Sequence, residues 1–409
     1  MLNIIWAIFF AIAALSTLWQ WLVLGQSDIF SVVVTEIFSS CKLSVDIAIG
    51  LIGLLCFWLG LMKIADASGI TEKLARLLAP LFARLMPDVP VGHPAIGSVA
   101  MNVAANMLGL DNAATPMGLR AMRELQTLNT SPETITNAQT LFMVLNTAAI
   151  TIFPVTVIMY RLQAGATDPS SVFLPILLAS VIGTIAGLLA VIISLRLPVW
   201  DRVVALYVAI GTLIIGILLL PTYWLPHDEI MRYSSTLGNG ALLSAIIFIV
   251  IYSALKRIPV FDIFIEGAKE GFQLAVSLIP YLVAMLVVIG LFRASGALPL
   301  LLDIIRHIVE PLGWDTQFVD ALPTGIMKIF SGSGARAMML DTLHTQGADS
   351  FAGFASSIMQ GSSETTFYVL AVYGGSVGLK RFGVALPCAL IADVVGIIAS
   401  VLIAYWFYI

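Results

Sequence analysis

Long apolar segments dominate the sequence and restrict the chain to folds that cross a lipid bilayer. They recur in blocks of about 20 residues, the length that spans the hydrocarbon core as an α-helix, and polar residues collect between them. Of the 409 residues, 59% are hydrophobic and 11% are charged, whereas an ordinary soluble domain carries about 25% charged residues. This composition excludes a soluble enzyme, a nucleic-acid-binding protein and a disordered scaffold. It predicts an all-α polytopic membrane protein.

Hydropathy along the chain indicates about nine membrane spans. The predicted spans cover residues 2–24, 43–62, 138–160, 172–195, 203–224, 238–255, 275–292, 352–373 and 384–408. Two stretches between them, 64–128 and 294–346, are too polar for ordinary spans and too apolar for solvated loops. We expect these two stretches to carry the functional features of the chain.

Three short basic loops set the predicted orientation. The positive-inside rule places them in the cytoplasm, and the loop after the fifth span is net acidic. Their basic residues are Arg196, Arg202, Lys256, Arg257, Lys269, Lys380 and Arg381. Counting spans from these loops predicts a cytoplasmic amino terminus and an outer carboxyl terminus. The expected location is the inner or plasma membrane.

The two halves of the chain contain the same features in the same order. Each has an Ala-Ser-Gly tripeptide (67–69 and 294–296), then an amphipathic stretch, a small-residue segment and a span with polar residues at its centre. A single connector span separates the halves, so the second half starts from the opposite face of the membrane. This predicts an inverted repeat, in which each unit has about four spans, an interfacial helix and a re-entrant helical hairpin. The units are 1–200 and 237–409, joined by a connector span and outer loop at 201–236.

The small-residue segment of the first unit predicts a pair of half-helices. Asn102 and Asn106 lie four residues apart and therefore share one helix face, and Gly109 follows where a helix C-cap is expected. Asp111 or Asn112 can cap the next helix. Unpaired backbone groups at such a tip can meet polar substrate groups. The alternative is a helix pair on the membrane surface, in which the Asn residues act only as caps.

The corresponding segment of the second unit is rich in glycine and serine. Ser331 and Ser333 alternate with glycines, which suits a tight re-entrant turn approached by a ligand, and Lys328 and Arg336 flank it. The order of residues is not that of a phosphate-binding P-loop, and no strand precedes it. An ATP-driven pump is therefore not expected.

Polar residues at the centres of two spans complete the candidate site. Glu364, beside Ser363 and Thr366, lies inside an otherwise apolar span. A carboxylate at that depth costs about 3 kcal/mol on insertion scales and by default marks a site for a cation, a proton or a ligand donor. The alternative is a structural ion pair with a cation of the second hairpin.

The matching span of the first unit contains Asn146, Thr147 and Thr151, with Pro154 after them. Proline removes the backbone hydrogen bond to the carbonyl of Ile150 and so perturbs that turn. A carbonyl freed in this way can bind an ion. The alternative is a proline kink whose backbone groups are satisfied by threonine side chains.

Two of these motifs resemble known proteins. The stretch 102–119 (NVAANMLGLDNAATPMGL) resembles spore maturation protein A, and 323–336 (PTGIMKIFSGSGAR) resembles spore maturation protein B. Both belong to the nucleoside-recognition (Gate) domain class, which is similar to the core of concentrative nucleoside transporters and to the membrane part of the ferrous-iron transport B protein. The resemblance implies that the two hairpins and the two polar-centred spans meet at a central substrate site.

These observations predict a secondary transporter or permease for a small polar solute, with a nucleoside-like solute as one candidate, coupled to a proton or sodium gradient. The alternative is a non-transporting membrane maturation or assembly factor. We expect no enzymatic activity, no metal, no cofactor and no nucleic-acid partner. The sequence is compatible with either a monomer or a homo-oligomer. The predicted substrate-binding residues are Asn102, Asn106, Asn112, Asn146, Thr147, Ser331, Ser333, Ser363 and Glu364, and the predicted ion-coupling residues are Glu364, Thr151 and Thr366.

Overall fold

The computed structural model of the protein describes residues 2–109, 111–197 and 201–408. This part of the chain is mainly α-helical. These residues are 81% helical and contain no β-strand, so the predicted all-α membrane protein is confirmed. The α-helices are α1 Leu2–Leu22, α2 Ile29–Ala67, α3 Ile70–Leu85, α4 Pro94–Met107, α5 Asp111–Gln126, α6 Asn137–Thr147, α7 Val155–Gln163, α8 Phe173–Leu195, α9 Arg202–Leu219, α10 His227–Leu255, α11 Val260–Ala294, α12 Ala297–Val309, α13 Leu322–Phe330, α14 Gly332–Thr345, α15 Phe351–Gly361, α16 Thr366–Val369 and α17 Ala385–Tyr408.

Within the described residues, seven helices are long and apolar enough to cross a membrane. They are α1, α2, α8, α9, α10, α11 and α17, and they match seven of the nine predicted spans. Helices α2 and α11 begin about four turns before the predicted spans. The reason is tertiary packing between the two helices. Ile29 and Val33 at the start of α2 are buried in a cluster with Leu291 and Phe292 at the end of α11, and Phe264 near the start of α11 lies against Gly60 near the end of α2.

The other two predicted spans are not continuous helices. Residues 138–160 form α6 and α7, which are separated by residues 148–154, and residues 352–373 form α15 and α16, which are separated by residues 362–365. Helix α16 continues into a π-helical turn, Leu370–Gly374. We correct the prediction of nine spans accordingly to seven continuous helices and two broken ones.

Two pairs of short helices form the predicted hairpins. Helices α4 and α5 meet at Gly109, whose φ of +71° is the left-handed conformation that glycine adopts without strain. Helices α13 and α14 meet at Ser331 alone. An amphipathic helix precedes each hairpin, α3 after Gly69 and α12 after Gly296, and both glycines have a φ of +72°. The repeated Ala-Ser-Gly tripeptides thus make the same turn in both halves.

Helices α2 and α11 pack along each other at close range. A Cβ atom built on Gly271 would lie 2.5 Å from the carbonyl oxygen of Leu55, and one on Gly267 would lie 2.6 Å from that of Leu59. The two glycines are four residues apart, the small-xxx-small spacing that lets helix backbones approach in a membrane. The central helix pair therefore depends on the absence of side chains at these two positions.

The element order supports the predicted repeat. Helices α1–α8 have counterparts in α10–α17, and α9 has none. Helix α2 packs on its counterpart α11, and α8 packs on its counterpart α17. The inversion of the second unit relative to the first, and the unit boundaries at 200 and 237, stay predictions.

Side-chain contacts join charged loops from the two halves of the chain. Lys256 donates to the Ser68 carbonyl at 2.7 Å, and Lys380 pairs with Glu133 at 2.5 Å. Arg161 lies 3.7 Å from Asp349. The sides of the membrane on which these loops lie stay predictions.

The glycine contact gives a test of the central packing. We expect Gly271→Ala to lower the free energy of unfolding by about 1–3 kcal/mol, because the added methyl group forces α2 and α11 apart. The measurement is the thermal unfolding midpoint of the purified protein in detergent. Gly53→Ala is the matched control, because a Cβ atom at Gly53 of α2 meets nothing within 4 Å. Equal midpoints for the two variants would contradict the close contact.

The orientation is testable by cysteine labelling. With Cys41, Cys56 and Cys388 replaced by alanine, we introduce Ser131→Cys after α5 or Thr167→Cys after α7, both at exposed positions. A membrane-impermeant maleimide added to right-side-out spheroplasts should label the second variant, and should label the first only after the membrane is opened. The reverse pattern would contradict a cytoplasmic amino terminus.

Candidate functional site

A polar cavity of about 230 Å³ lies where the hairpins and the broken helices meet. Gly109 of the first hairpin and Gly332 of the second hairpin both line it. The cavity is also lined by residues of the two breaks, namely Ala149, Thr151, Phe153 and Pro154 between α6 and α7, and Ser363 and Glu364 between α15 and α16. All four elements that the sequence analysis singled out therefore contribute to one cavity.

The two helix breaks are joined to each other directly. The backbone N–H of Glu364 donates to the carbonyl oxygen of Thr147 at 2.8 Å. Neither group has a helical partner, because α15 has ended before Glu364 and α6 ends at Thr147. Unpaired backbone groups are costly at membrane depth. This bond satisfies one group from each break.

Side chains of α8 satisfy other backbone groups of the first break. The Ser180 hydroxyl accepts from the N–H of Thr151 at 3.3 Å. The Thr184 hydroxyl donates to the Ala148 carbonyl. The sequence analysis attributed this break to Pro154, and α7 does begin directly after that residue.

In the second break the corresponding support comes from α17. The Thr366 hydroxyl donates to a carboxylate oxygen of Asp393 at 2.5 Å, and both side chains are buried. The Ser400 hydroxyl approaches that of Ser362 at 3.4 Å. The bond from Thr366, at the start of α16, to Asp393 fits a structural role for this carboxylate.

Amide side chains form the wall that the first unit contributes. Asn106 donates to the Asn146 side-chain oxygen at 3.1 Å, and Asn146 donates to the Phe142 carbonyl at 2.9 Å. Asn146 is buried and Asn106 half-buried. This chain of bonds fixes the amide orientations, so the wall presents neutral polar groups at set positions. Thr151 lines the cavity beside them.

The second unit contributes every charged residue among the described residues that line the cavity, namely Lys328, Arg336 and Glu364. The Lys328 side chain is buried, whereas the Glu364 side chain is exposed to open space. The guanidinium of Arg336 lies 5.7 Å from the centre of the Tyr160 ring, within the range of a cation–π contact. One wall is therefore neutral and the other is charged.

The structure brings together five of the predicted site residues at the cavity and places others behind it. Asn106, Asn146, Thr151, Ser363 and Glu364 line the cavity. The predicted residues outside the lining are Asn102, Thr147, Ser331, Ser333 and Thr366. The side chain of Asn112 lies outside the described part of the structure.

The residues behind the cavity have local partners. Asn102 is buried and donates to the Ala114 carbonyl at 2.8 Å, which ties α4 to α5. The Ser331 hydroxyl accepts from the Gly334 N–H at 3.0 Å and so caps α14, and the Ser333 hydroxyl lies 3.2 Å from it. The Thr147 hydroxyl donates to the carbonyl of Met143 at 3.1 Å. These side chains stabilise the elements that form the cavity.

Sequence reasoning did not identify Gln360 and Tyr160 as lining residues. A usable signal was present for Gln360. Asn146 lies ten residues after the helix cap Thr136, and Gln360 lies ten residues after the helix cap Ser350. Aligning the two broken helices on their caps thus equates the two amide residues. For Tyr160 no comparable signal exists in one sequence.

Comparison with known proteins gives one family and two relatives. The Gate family, described as nucleoside recognition, matches residues 48–163 and 275–380, more than half of the chain. Spore maturation protein B of Bacillus subtilis (strain 168) is 43% identical over 155 residues, which are 38% of this chain and 85% of that protein. Spore maturation protein A of the same organism is 38% identical over 153 residues, which are 37% of this chain and 78% of that protein. No solved structure gives a significant match. The resemblance found in the sequence is confirmed.

We expect mutation of the two asparagines of α4 to change the stability of the protein by different amounts. Asn102→Ala leaves the buried Ala114 carbonyl without its side-chain donor, so we expect the free energy of unfolding to fall by about 1–3 kcal/mol. Asn106→Ala is the matched control, because this half-buried side chain borders the cavity, and we expect a loss of at most about 1 kcal/mol. Thermal unfolding midpoints in detergent measure both. A larger loss for Asn106→Ala would contradict these assignments.

Proposed function

Because the chain belongs to the nucleoside-recognition (Gate) family, we propose that it is a secondary transporter or permease for a small polar solute, coupled to a proton or sodium gradient. The observation that carries this proposal is the polar cavity shared by two hairpin tips and two helix breaks. Discontinuous helices around a polar site are the arrangement associated with secondary transporters. The solute would bind beside the helix breaks and hairpin tips, where backbone groups lack intrahelical hydrogen bonds.

The proposed membrane is the inner or plasma membrane, with the amino terminus in the cytoplasm. The basic residues of three short loops, among them Lys256 and Lys380, support this orientation by the positive-inside rule. The proposed transport cycle uses the inverted relation of the two units, in which one unit rocks against the other and exposes the cavity to each side in turn. It requires no covalent chemistry and no cofactor.

The proposed solute contacts come from both walls of the cavity. The amides of Asn106 and Asn146 and the hydroxyl of Ser363 would select the solute by hydrogen bonding. Asn102, Thr147, Ser331 and Ser333 would act through the backbone positions that they stabilise.

Glu364 is the proposed link between the solute and the coupling cation. Its carboxylate faces the cavity, and its N–H holds the carbonyl of the first break. A proton or sodium ion bound at this carboxylate would change the charge at the point where the two breaks are joined. Thr151 on the opposite wall and Thr366 at the start of α16 would support the cation site.

The test of this function is Glu364→Gln, which keeps the shape of the side chain and removes its charge. The wild-type protein in liposomes should take up at least one member of a panel of nucleosides, nucleoside monophosphates, amino acids and dicarboxylates under an imposed pH or sodium gradient. In the variant we expect uptake to lose its dependence on that gradient, because the cation has lost its carboxylate.

The control is Glu133→Gln, the same substitution at an exposed surface pair that contributes little. This control should transport like the wild type. If uptake by the Glu364→Gln variant keeps the wild-type gradient dependence, Glu364 is not the coupling residue. If the wild type takes up no member of the panel, the transport proposal itself is contradicted.

A further inference from the structure

Arg336 stands out in the cavity because its guanidinium is incompletely bonded. Its Nε atom is buried and has no hydrogen-bond partner among the described residues. Its ring contact with Tyr160 orients the guanidinium but takes up none of its N–H donors. Arginine stays protonated in proteins, so this charge cannot be removed by a change of pH. A half-buried, positioned guanidinium with an unused donor is suited to an anionic ligand.

Two other positive features border the same space. Gly332 lines the cavity at the start of α14, where the partial positive charge of a helix N-terminus adds to that of Arg336. Lys328 also lines the cavity and is engaged within the protein. The buried carboxylate of Asp393 lies close enough to Lys328 to act on its charge. Arg336 and the helix N-terminus are therefore the positive features that favour a solute with negative charge.

An unused acceptor lies on the same cavity. Gln360 is 8% exposed and lines the cavity, and its side-chain oxygen has no hydrogen-bond partner in the described part of the protein. Its counterpart in the first unit, Asn146, has its oxygen bonded to Asn106. A buried amide oxygen without a partner is rare in native proteins and is satisfied when a donor arrives. The ligand should therefore carry an N–H or O–H group as well.

We infer that the solute has an anionic group, a carboxylate or a phosphate, that binds Arg336, and a hydrogen-bond donor that binds Gln360. This inference rests on the proposed transport function and narrows its substrate class. A neutral nucleoside offers donors for Gln360 but leaves the Arg336 guanidinium without a counter-charge. The cavity volume of about 230 Å³ is below the range of about 300–1,000 Å³ typical of sites for drug-sized ligands, which fits a compact solute.

The first experiment compares probes that differ in charge. The full-length protein in detergent is heated with uridine or uridine 5′-monophosphate, and with succinamide or succinate, and the unfolding midpoint is measured. We expect at least one anionic member to raise the midpoint by several degrees and its neutral partner to leave it unchanged. Stabilisation by the monophosphate alone identifies a phosphate site, and stabilisation by succinate alone identifies a carboxylate site.

The second experiment assigns the effect to Arg336. We expect Arg336→Gln to weaken binding of the stabilising anion at least tenfold in calorimetry, and Arg336→Lys, which keeps the charge but lacks the fork of donors, to weaken it less. Arg123→Gln is the control at an exposed position. Unfolding midpoints without probe establish that each variant is folded.

The inference is overturned if a neutral probe stabilises the protein as much as its anionic partner, if neither anion stabilises it, or if Arg336→Gln binds the anion like the wild type. The first of these outcomes leaves transport intact, because uptake of a neutral solute into liposomes would still be observed. Failure of the transport proposal is distinguishable, since an anion would then bind through Arg336 without entering the liposomes.

Discussion

The hydrogen bond from the Glu364 N–H to the Thr147 carbonyl is the contact on which the centre of the protein depends. A bilayer offers no water to an interrupted helix, so every broken turn must find partners within the protein. Here the donor of one break meets the acceptor of the other. Each break therefore depends on the other for one of its backbone hydrogen bonds, and the cavity lies beside the joined breaks. The same constraint that makes broken helices costly therefore locates the polar site.

The two units support their breaks with different chemistry. In the first unit the hydroxyls of Ser180 and Thr184 on α8 bind the freed backbone, and in the second unit the carboxylate of Asp393 on α17 binds Thr366. The difference extends to the cavity walls, which are neutral amides on one side and charged residues on the other. The two units, which match in the order of their helices, thus differ in the charge that they contribute to the cavity.

Sequence patterns predicted the hairpins and a perturbed turn near Pro154, because these features have local causes such as Gly109 at the first tip. The complete breaks were not predicted, since residues 138–160 and 352–373 were each expected to form one span. Features that depend on contacts between residues distant in the sequence could not be predicted. The early start of α2 depends on packing against α11. The four-residue spacing of Asn102 and Asn106 places both on one face, but only the position of α5 decides that Asn102 bonds within the hairpin and Asn106 borders the cavity.

Charge and backbone are coupled at Glu364 because its side chain faces the cavity and its amide holds the other unit. A force on the Glu364 carboxylate is transmitted through the same residue to the hydrogen bond between its N–H and the Thr147 carbonyl. Two discrete arrangements of that bond, made and broken, would correspond to two relations of the units, since close-packed interfaces change between discrete states rather than deforming continuously. A solute or cation shifts such an equilibrium only by its difference in affinity for the two states. In the proposed transport cycle the charged wall would supply that difference, because a change in the position of Glu364 relative to Lys328 and Arg336 would change the field that an ion meets in the cavity.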